Sequence, residues 1–528
     1  MNLKINDITE IKSPFDCLGQ PTGVFENEKY LVVSSYVEEP FSKLRSIKTD
    51  DYFCNRVSIF DSSTLELISS KDAINFKIKD VAFHPAEPLI ALATGEYDGG
   101  QYFEGELLIW NWENNKITSI LDSIMVLRCE FSNNGETVDI LTTGYSKEED
   151  HSYGLFVQEN ISVSSSNQKI HFNKPFYFND SKFDCTYLEI YMPDFNHQAS
   201  IKNKLQSFSE KLDLNYKMKS CVWDIDWLSS NLIACTSDKN ILEIWNTNGT
   251  FSVYSQDEGF SCLELAVSKN KDSIFLNLFS NTDFEDTHSK ILEFDIETQK
   301  FQAVKVLDYS VSISISSDED ILLRDVEGES SITRDFLIHD EDNYLDLGNY
   351  FPFRQYIRIN NQRFFFYTRG QNKRKYGNHH LFYIDPQTKK SQETVPFIGP
   401  KNGSIEDITG CIFENSFIFA AIYYNSDPDH PTEGFICSRH LQDRKLQWSL
   451  NVPSQTTVLA PIEKKGLVFY ALTNGEVGFI QFDNGEKIYS KKLIIDGLKT
   501  CVICASYKDE KIVAGTIDGR IIIMELDF

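Results

Sequence analysis

Along most of this chain apolar and polar positions alternate with a period of two, in short runs broken by small polar clusters. Residues 241–254, "ILEIWNTNGTFSVY", show the unit clearly. One alternating run ends in Trp245-Asn246, a turn follows, and a second run begins. The phrase returns in "VSIFDSSTLELI", "LLIWNWENNKITSI", "ILEFDIETQKFQAV" and "GFIQFDNGEKIYSKK". Period two predicts half-buried strands. An Asp or Asn after an aromatic predicts a turn closed by its own side chain, with the ring in a core.

A second strand–turn–strand pattern precedes each phrase, as in "IKDVAFHPAEPLIALATG" and "VWDIDWLSSNLIACTSD". Ile78, Val81 and Phe83 fall where Val222, Ile225 and Trp227 fall. Together the patterns predict a four-strand antiparallel unit recurring every ~45–50 residues, a propeller-blade period. Inner strands are expected near Thr22, Ile78, Val126, Val222, Phe260, Val311, Tyr356, Ile408, Thr456 and Thr500. One such meander cannot bury both of its faces, so units must stack on one another about an axis.

The units resemble degenerate WD-repeats of the β-propeller class. Trp110-Asn111 and Trp245-Asn246 stand where that family has its Trp-Asp pair, and the family's Gly-His pair before the inner strand is missing. The fold expected is therefore all-β, a propeller of about 8–10 four-stranded blades spanning residues 1–528. A single ring is the expectation and two rings the alternative. Residues 2–11 alternate and are expected to pair with the C-terminal blade, whose last segment "RIIIMELDF" supplies a third strand without a fourth. Residues 164–220 break the period. Within them Ile201, Leu205, Phe208 and Leu212 share one helical face, predicting an amphipathic helix over 198–213 in an insertion.

The length, 528 residues, fits a core built by repetition. The formal charge of −27 opposes phosphate backbones and anionic bilayers, so neither nucleic acid nor membrane is an expected partner. The 11 cysteines are odd in number and several lie in apolar runs, which points to reduced thiols and a cytoplasmic location. Cys501 and Cys504 form a C-x-x-C, but on a strand residues three apart face opposite ways. No window is long and apolar enough for a membrane helix or a signal peptide.

Candidate chemistry lies mainly in the connections between second and third strands, which a meander sends to one end of the sheets. Many are longer than a hairpin needs, and function concentrates in such loops. His151, His288 and His430 lie there beside carboxylates and are candidate ligands of a divalent metal; no cofactor is otherwise implied. A basic stretch opposes the overall charge: Arg369, Lys373, Arg374, Lys375, His379 and His380 could hold an anionic ligand or an acidic partner surface, or equally pair with the chain's own acidic loops at Ser316–Asp320 and His339–Asn343. Asp80 and Asp224 occupy matching inner-strand positions and are candidates for binding a cation, gripping a basic peptide or supporting neighbouring turns. A P-loop, a G-x-S-x-G and an H-E-x-x-H are all missing. The function expected is a non-catalytic intracellular scaffold or adaptor that binds other proteins. The alternative is a propeller hydrolase or lyase using loop histidines and carboxylates.

Overall fold

The computed structural model describes residues 4–11, 15–37, 54–97, 103–143, 155–164, 195–212, 219–237, 241–255, 260–268, 270–280, 288–309, 311–315, 321–325, 336–338, 364–369, 378–385, 388, 390–398, 403–425, 433–443 and 445–528. They fall into two compact units. One comprises Met1–Lys12, Glu39–Asp51 and Cys221–Phe528; the other comprises Ser13–Glu38 and Tyr52–Ser220. Described strands form ten antiparallel sheets of three or four strands, numbered 1 to 10 here by inner strand in chain order, and two small hairpins.

Sheets 1 to 3 form the smaller unit. Their inner strands are Gln20–Glu26, Ile78–Phe83 and Val126–Phe131. Val32, Ile59, Leu92 and Leu108 fill the layer between sheets 1 and 2. Ala93, Ile109, Val138 and Ile140 fill that between sheets 2 and 3. The helix Phe195–Lys211 buries Ile201, Leu205 and Phe208, and its Lys204 pairs with Glu26 of sheet 1 at 3.1 Å. Alternation thus delivers what it promised: each sheet turns one apolar face to each neighbour.

Sheets 4 to 10 form the larger unit. Their inner strands are Val222–Trp227, Phe260–Val267, Val311–Ile315, Phe364–Arg369, Gly403–Phe413, Thr456–Ile462 and Val502–Lys508. The inner strand expected near Tyr356 lies outside the described residues. Sheet 10 takes its outer strand from the N-terminus: Lys4–Ile11 pairs antiparallel with Ile521–Asp527, Ile8 opposite Met524. Apolar layers join sheet 4 to 5, 5 to 6, 8 to 9 and 9 to 10. Sheet 10 then packs on sheet 4. Cys504 Sγ donates to the Val222 carbonyl at 3.3 Å, Ser506 Oγ lies 2.6 Å from Asp226 Oδ1, and the Trp227 indole donates to the Ser506 carbonyl at 3.1 Å.

The recurring aromatic–Asp/Asn phrase has a local cause. Phe60, Trp110, Trp245 and Phe294 are at most 1% exposed, so each locks a third strand into an apolar layer. The next residue folds its side chain over the turn. Asp61 Oδ1 accepts the amides of Ser63 and Thr64 at 2.8 and 3.0 Å. Asn111 does the same for Glu113 and Asn114, each at 3.1 Å. Hydrogen bonds from Ser63 and Thr64 also hold the Asp61 carboxyl below its ordinary pKa. No described helix is long and apolar enough to cross a membrane.

Candidate interaction face

Register decides which end of each sheet carries the long connections. Ile78 lies opposite Thr94, and Leu107 opposite Ala93, so the second-to-third connection leaves beside the start of the inner strand. The same holds for Val222 opposite Ser237 and Val502 opposite Thr516. In sheet 10 this connection is a tight turn, 517–520. Asp518 accepts hydroxyls from Thr500 and Thr516, both at 2.7 Å, and pairs with Arg520 at 2.6 Å with both side chains at most 1% exposed. Arg520 also donates to the Ile495 carbonyl at 3.2 Å, tying the turn to the segment before the inner strand. A blade of this protein therefore closes without a long loop.

Sheet 2 shows the elaborated version. Its connection carries a hairpin, Glu96–Tyr97 with Phe103–Glu104, which the sequence pattern missed because each arm is only two residues long. The base of that hairpin is held from several sides. Gly95 N–H donates to the Lys77 carbonyl at 2.9 Å, and Asn75 Nδ2 to Glu106 at 2.9 Å. Lys77 Nζ lies 3.7 Å from Glu96 and over the Tyr36 ring. Gly105 is required there, since a Cβ would sit 2.1 Å from the Thr94 carbonyl oxygen. Lys79 sits beside Lys77 and Arg128; burial, then repulsion from Lys77 and Arg128, pulls its pKa down against the attraction of Glu96.

Inner strands of eight sheets carry a register shift near their start, for example between Ile78 and Asp80, Val222 and Asp224, Cys262 and Glu264. Such a bulge re-aims the residue that follows it. Asp80 Oδ2 accepts the Cys129 amide of sheet 3 at 3.0 Å. Asp224 Oδ2 accepts the Leu265 amide of sheet 5 at 3.0 Å, while its Oδ1 accepts Ile225 N–H at 2.9 Å. Glu264 makes the equivalent contact one sheet on, from Oε2 to the Ile313 amide at 3.2 Å and to Asn277 Nδ2 at 2.8 Å. These three carboxylates tie sheet 2 to 3, 4 to 5 and 5 to 6. Glu264 was missed in the sequence although it occupies the same place after the shift.

Of the basic stretch, Arg369 and His379 are opposite one another in sheet 7, and His380 is opposite Thr368. Lys373, Arg374 and Lys375 lie outside the described residues, as do His151 and His430. His288 is half-buried, immediately before the third strand of sheet 5. Among the described residues no group of three or more His, Cys, Asp or Glu is placed to hold a metal ion. The described cysteines are free, and all but Cys54 are buried.

The described sheets are successive three- and four-stranded antiparallel meanders, the strand arrangement of β-propeller blades. No protein-family profile matches the chain, and no curated protein matches it. Among solved structures, similarity extends to "Crystal structure of RRP9 WD40 repeats", with 10% identity, 59% of this chain, 96% of that one and a TM-score of 0.40. It extends also to "Structure of U3-55K", with 10% identity, 59% and 96% coverage and a TM-score of 0.39. A third is "Crystal Structure of Mitotic Checkpoint Complex", with 11% identity, 57% and 86% coverage and a TM-score of 0.37.

Proposed function

We propose that this protein is a non-catalytic, intracellular interaction scaffold that presents the connection-bearing ends of its sheets to protein partners. The observation that carries this reading is the contrast between connections. Sheet 10 closes with the short turn at 517–520, while sheet 2 spends a whole hairpin on the same task and holds its base with hydrogen bonds to Lys77, Asn75 and Thr94. Length that folding does not require, held on a rigid support, lowers the ordering entropy lost on binding. Free, buried thiols support a reducing compartment and hence the cytoplasm.

Arg369, His379, His380 and the adjoining Lys373, Arg374 and Lys375 are the contacts proposed for an acidic partner segment, against the chain's charge of −27. In this reading Asp80 and Asp224 act from beneath, by fixing one inner strand to the next. The test is partner capture by the full-length protein and by a variant in which residues 371–375 are replaced with Gly and Ser. The proposal expects at least one captured protein to be lost with the basic segment and the rest of the fold to be unchanged by circular dichroism. An unchanged set of captured proteins would remove the basic segment from the interface.

A further inference from the structure

The residue after the inner-strand register shift is a carboxylate in sheets 2, 4 and 5, where Asp80, Asp224 and Glu264 each accept an amide of the next sheet. Sheet 3 breaks the pattern. Its shift falls between Val126 and Arg128, so a guanidinium stands in the carboxylate's place. A guanidinium only donates and cannot accept an amide. Arg128 Nη1 donates to the Leu127 carbonyl at 3.0 Å, and the side chain is half-buried. The tie between sheets therefore does not explain a cation at this position.

Sheet 2 brings two lysines to the same place. The Asp80–Cys129 bond sets the two inner strands side by side, with Lys79 one residue before Asp80 and Arg128 one residue before Cys129. Lys79 is the extra residue of its bulge: Ile78 lies opposite Thr94 and Asp80 opposite Ala93, which leaves Lys79 no partner in the ladder. It is half-buried, and among the described residues its side chain makes no hydrogen bond or ion pair. The charges that act on it are those of Lys77, Glu96 and Arg128. Glu96 is the one acid of that set. It lies 3.7 Å from Lys77, with side chains 52% and 42% exposed, so water weakens their pair. Three cations against one carboxylate leave a surplus of about two positive charges at a half-buried point. Burial, then repulsion from Lys77, pulls the Lys79 pKa down, which is the mark of a cluster short of negative charge.

We propose that Lys77, Lys79 and Arg128 form an anion site across sheets 2 and 3 that takes the phosphoryl dianion of free phosphate or of a small phosphate monoester. The surplus of charge selects a dianion over a single carboxylate. The cations act on one point, which matches two charges carried by one group better than two separated carboxylates. Arg128 supplies a planar fork of donors, and the lysines supply point charges. A long polyanion would run past the cluster onto a chain of charge −27 and is disfavoured. The site shares no residue with the basic stretch between Arg369 and His380, and it stands whether or not that stretch binds a partner.

Titration calorimetry of the full-length protein with inorganic phosphate, phosphoserine and succinate tests this, at constant ionic strength and about pH 7.5, where both phosphate probes are mainly dianions. At least one phosphate probe is expected to saturate a single site with a Kd of about 1 mM or tighter, and succinate to bind more weakly. Lys79→Gln removes a side chain that has no partner, so the fold is expected to persist by circular dichroism while the affinity falls about tenfold or more. Arg128→Gln is expected to lose as much, and Lys79→Arg, which keeps the charge, to stay within about threefold. The variant with residues 371–375 replaced by Gly and Ser is expected to bind the probe as the natural protein does. No saturation by either phosphate probe, succinate binding as tightly as phosphate, or unchanged affinity in folded Lys79→Gln would each overturn the proposal.

Discussion

Replacing Asp224 by Ala separates a structural carboxylate from a binding one. The carboxylate accepts two amides, Ile225 N–H at 2.9 Å and Leu265 N–H at 3.0 Å. The first is a contact between chain neighbours and contributes little. The second crosses from sheet 4 to sheet 5, and Leu265 has no exposed surface, so water cannot replace the lost acceptor. A buried amide left unpaired costs about 1–3 kcal/mol, and a bond to a charged acceptor lies at the upper end of that range. The expected loss is therefore about 2–3 kcal/mol, which speeds local exchange roughly 30- to 150-fold. Unfolding of a chain with two units is not a single transition, so a melting temperature would blur the effect. The suitable assay is hydrogen exchange with mass spectrometry of the peptide containing Phe260–Val267. Asp224→Asn keeps an oxygen in place and is expected to recover about half of the loss. Unchanged exchange in that peptide, combined with lost partner capture, would show that the carboxylate faces a ligand and that the inter-sheet role is wrong.

Two further outcomes follow from buried chemistry. Arg520→Met leaves Asp518 charged and buried without its cation, and a loss of about 3–5 kcal/mol is expected in the unit containing sheet 10; local exchange across Val502–Lys508 and Lys511–Thr516 would report it. Burial, aided by the nearby Glu463 charge, pushes the Cys411 thiol up to about 12. The thiolate is the reactive form. Alkylation by iodoacetamide at pH 8 should therefore pass over Cys411 in the folded protein and reach it after denaturation, as mass spectrometry of the peptide would reveal.

Features set by neighbours in the chain were legible in the sequence, and features set by distant partners were not. Asp61, Asn111 and Asn246 announced their turns because the amides they accept lie two or three residues away. Strand starts at Ile78, Val126 and Val222 were placed by alternation alone. The junction of sheet 10 with sheet 4 left no local trace, since Ser506 and Asp226 carry nothing in their surroundings that names the other. Asp80 and Asp224 were noticed for recurring at one place in the repeat. Their use was hidden because the amides they accept belong to the next sheet, 49 and 41 residues on. The burial of Asp16 left no local trace either, since its cation, Lys219, lies far along the chain. The basic stretch was visible as charge, but its reach depends on where sheet 7 sends the connection between Arg369 and Asn378.

The contact of sheet 10 with sheet 4 brings the end of the chain back onto a strand 280 residues earlier. Disulfide trapping of Ser506→Cys with Asp226→Cys reads that closure directly, because the two natural side chains approach to 2.6 Å across 280 residues of chain. Under mild oxidation the double variant is predicted to form an intramolecular disulfide joining the peptides around positions 226 and 506, while either single variant leaves them separate. Failure of that bond to form in folded protein, with both new thiols open to alkylation, would contradict the closure and the blade arrangement built on it.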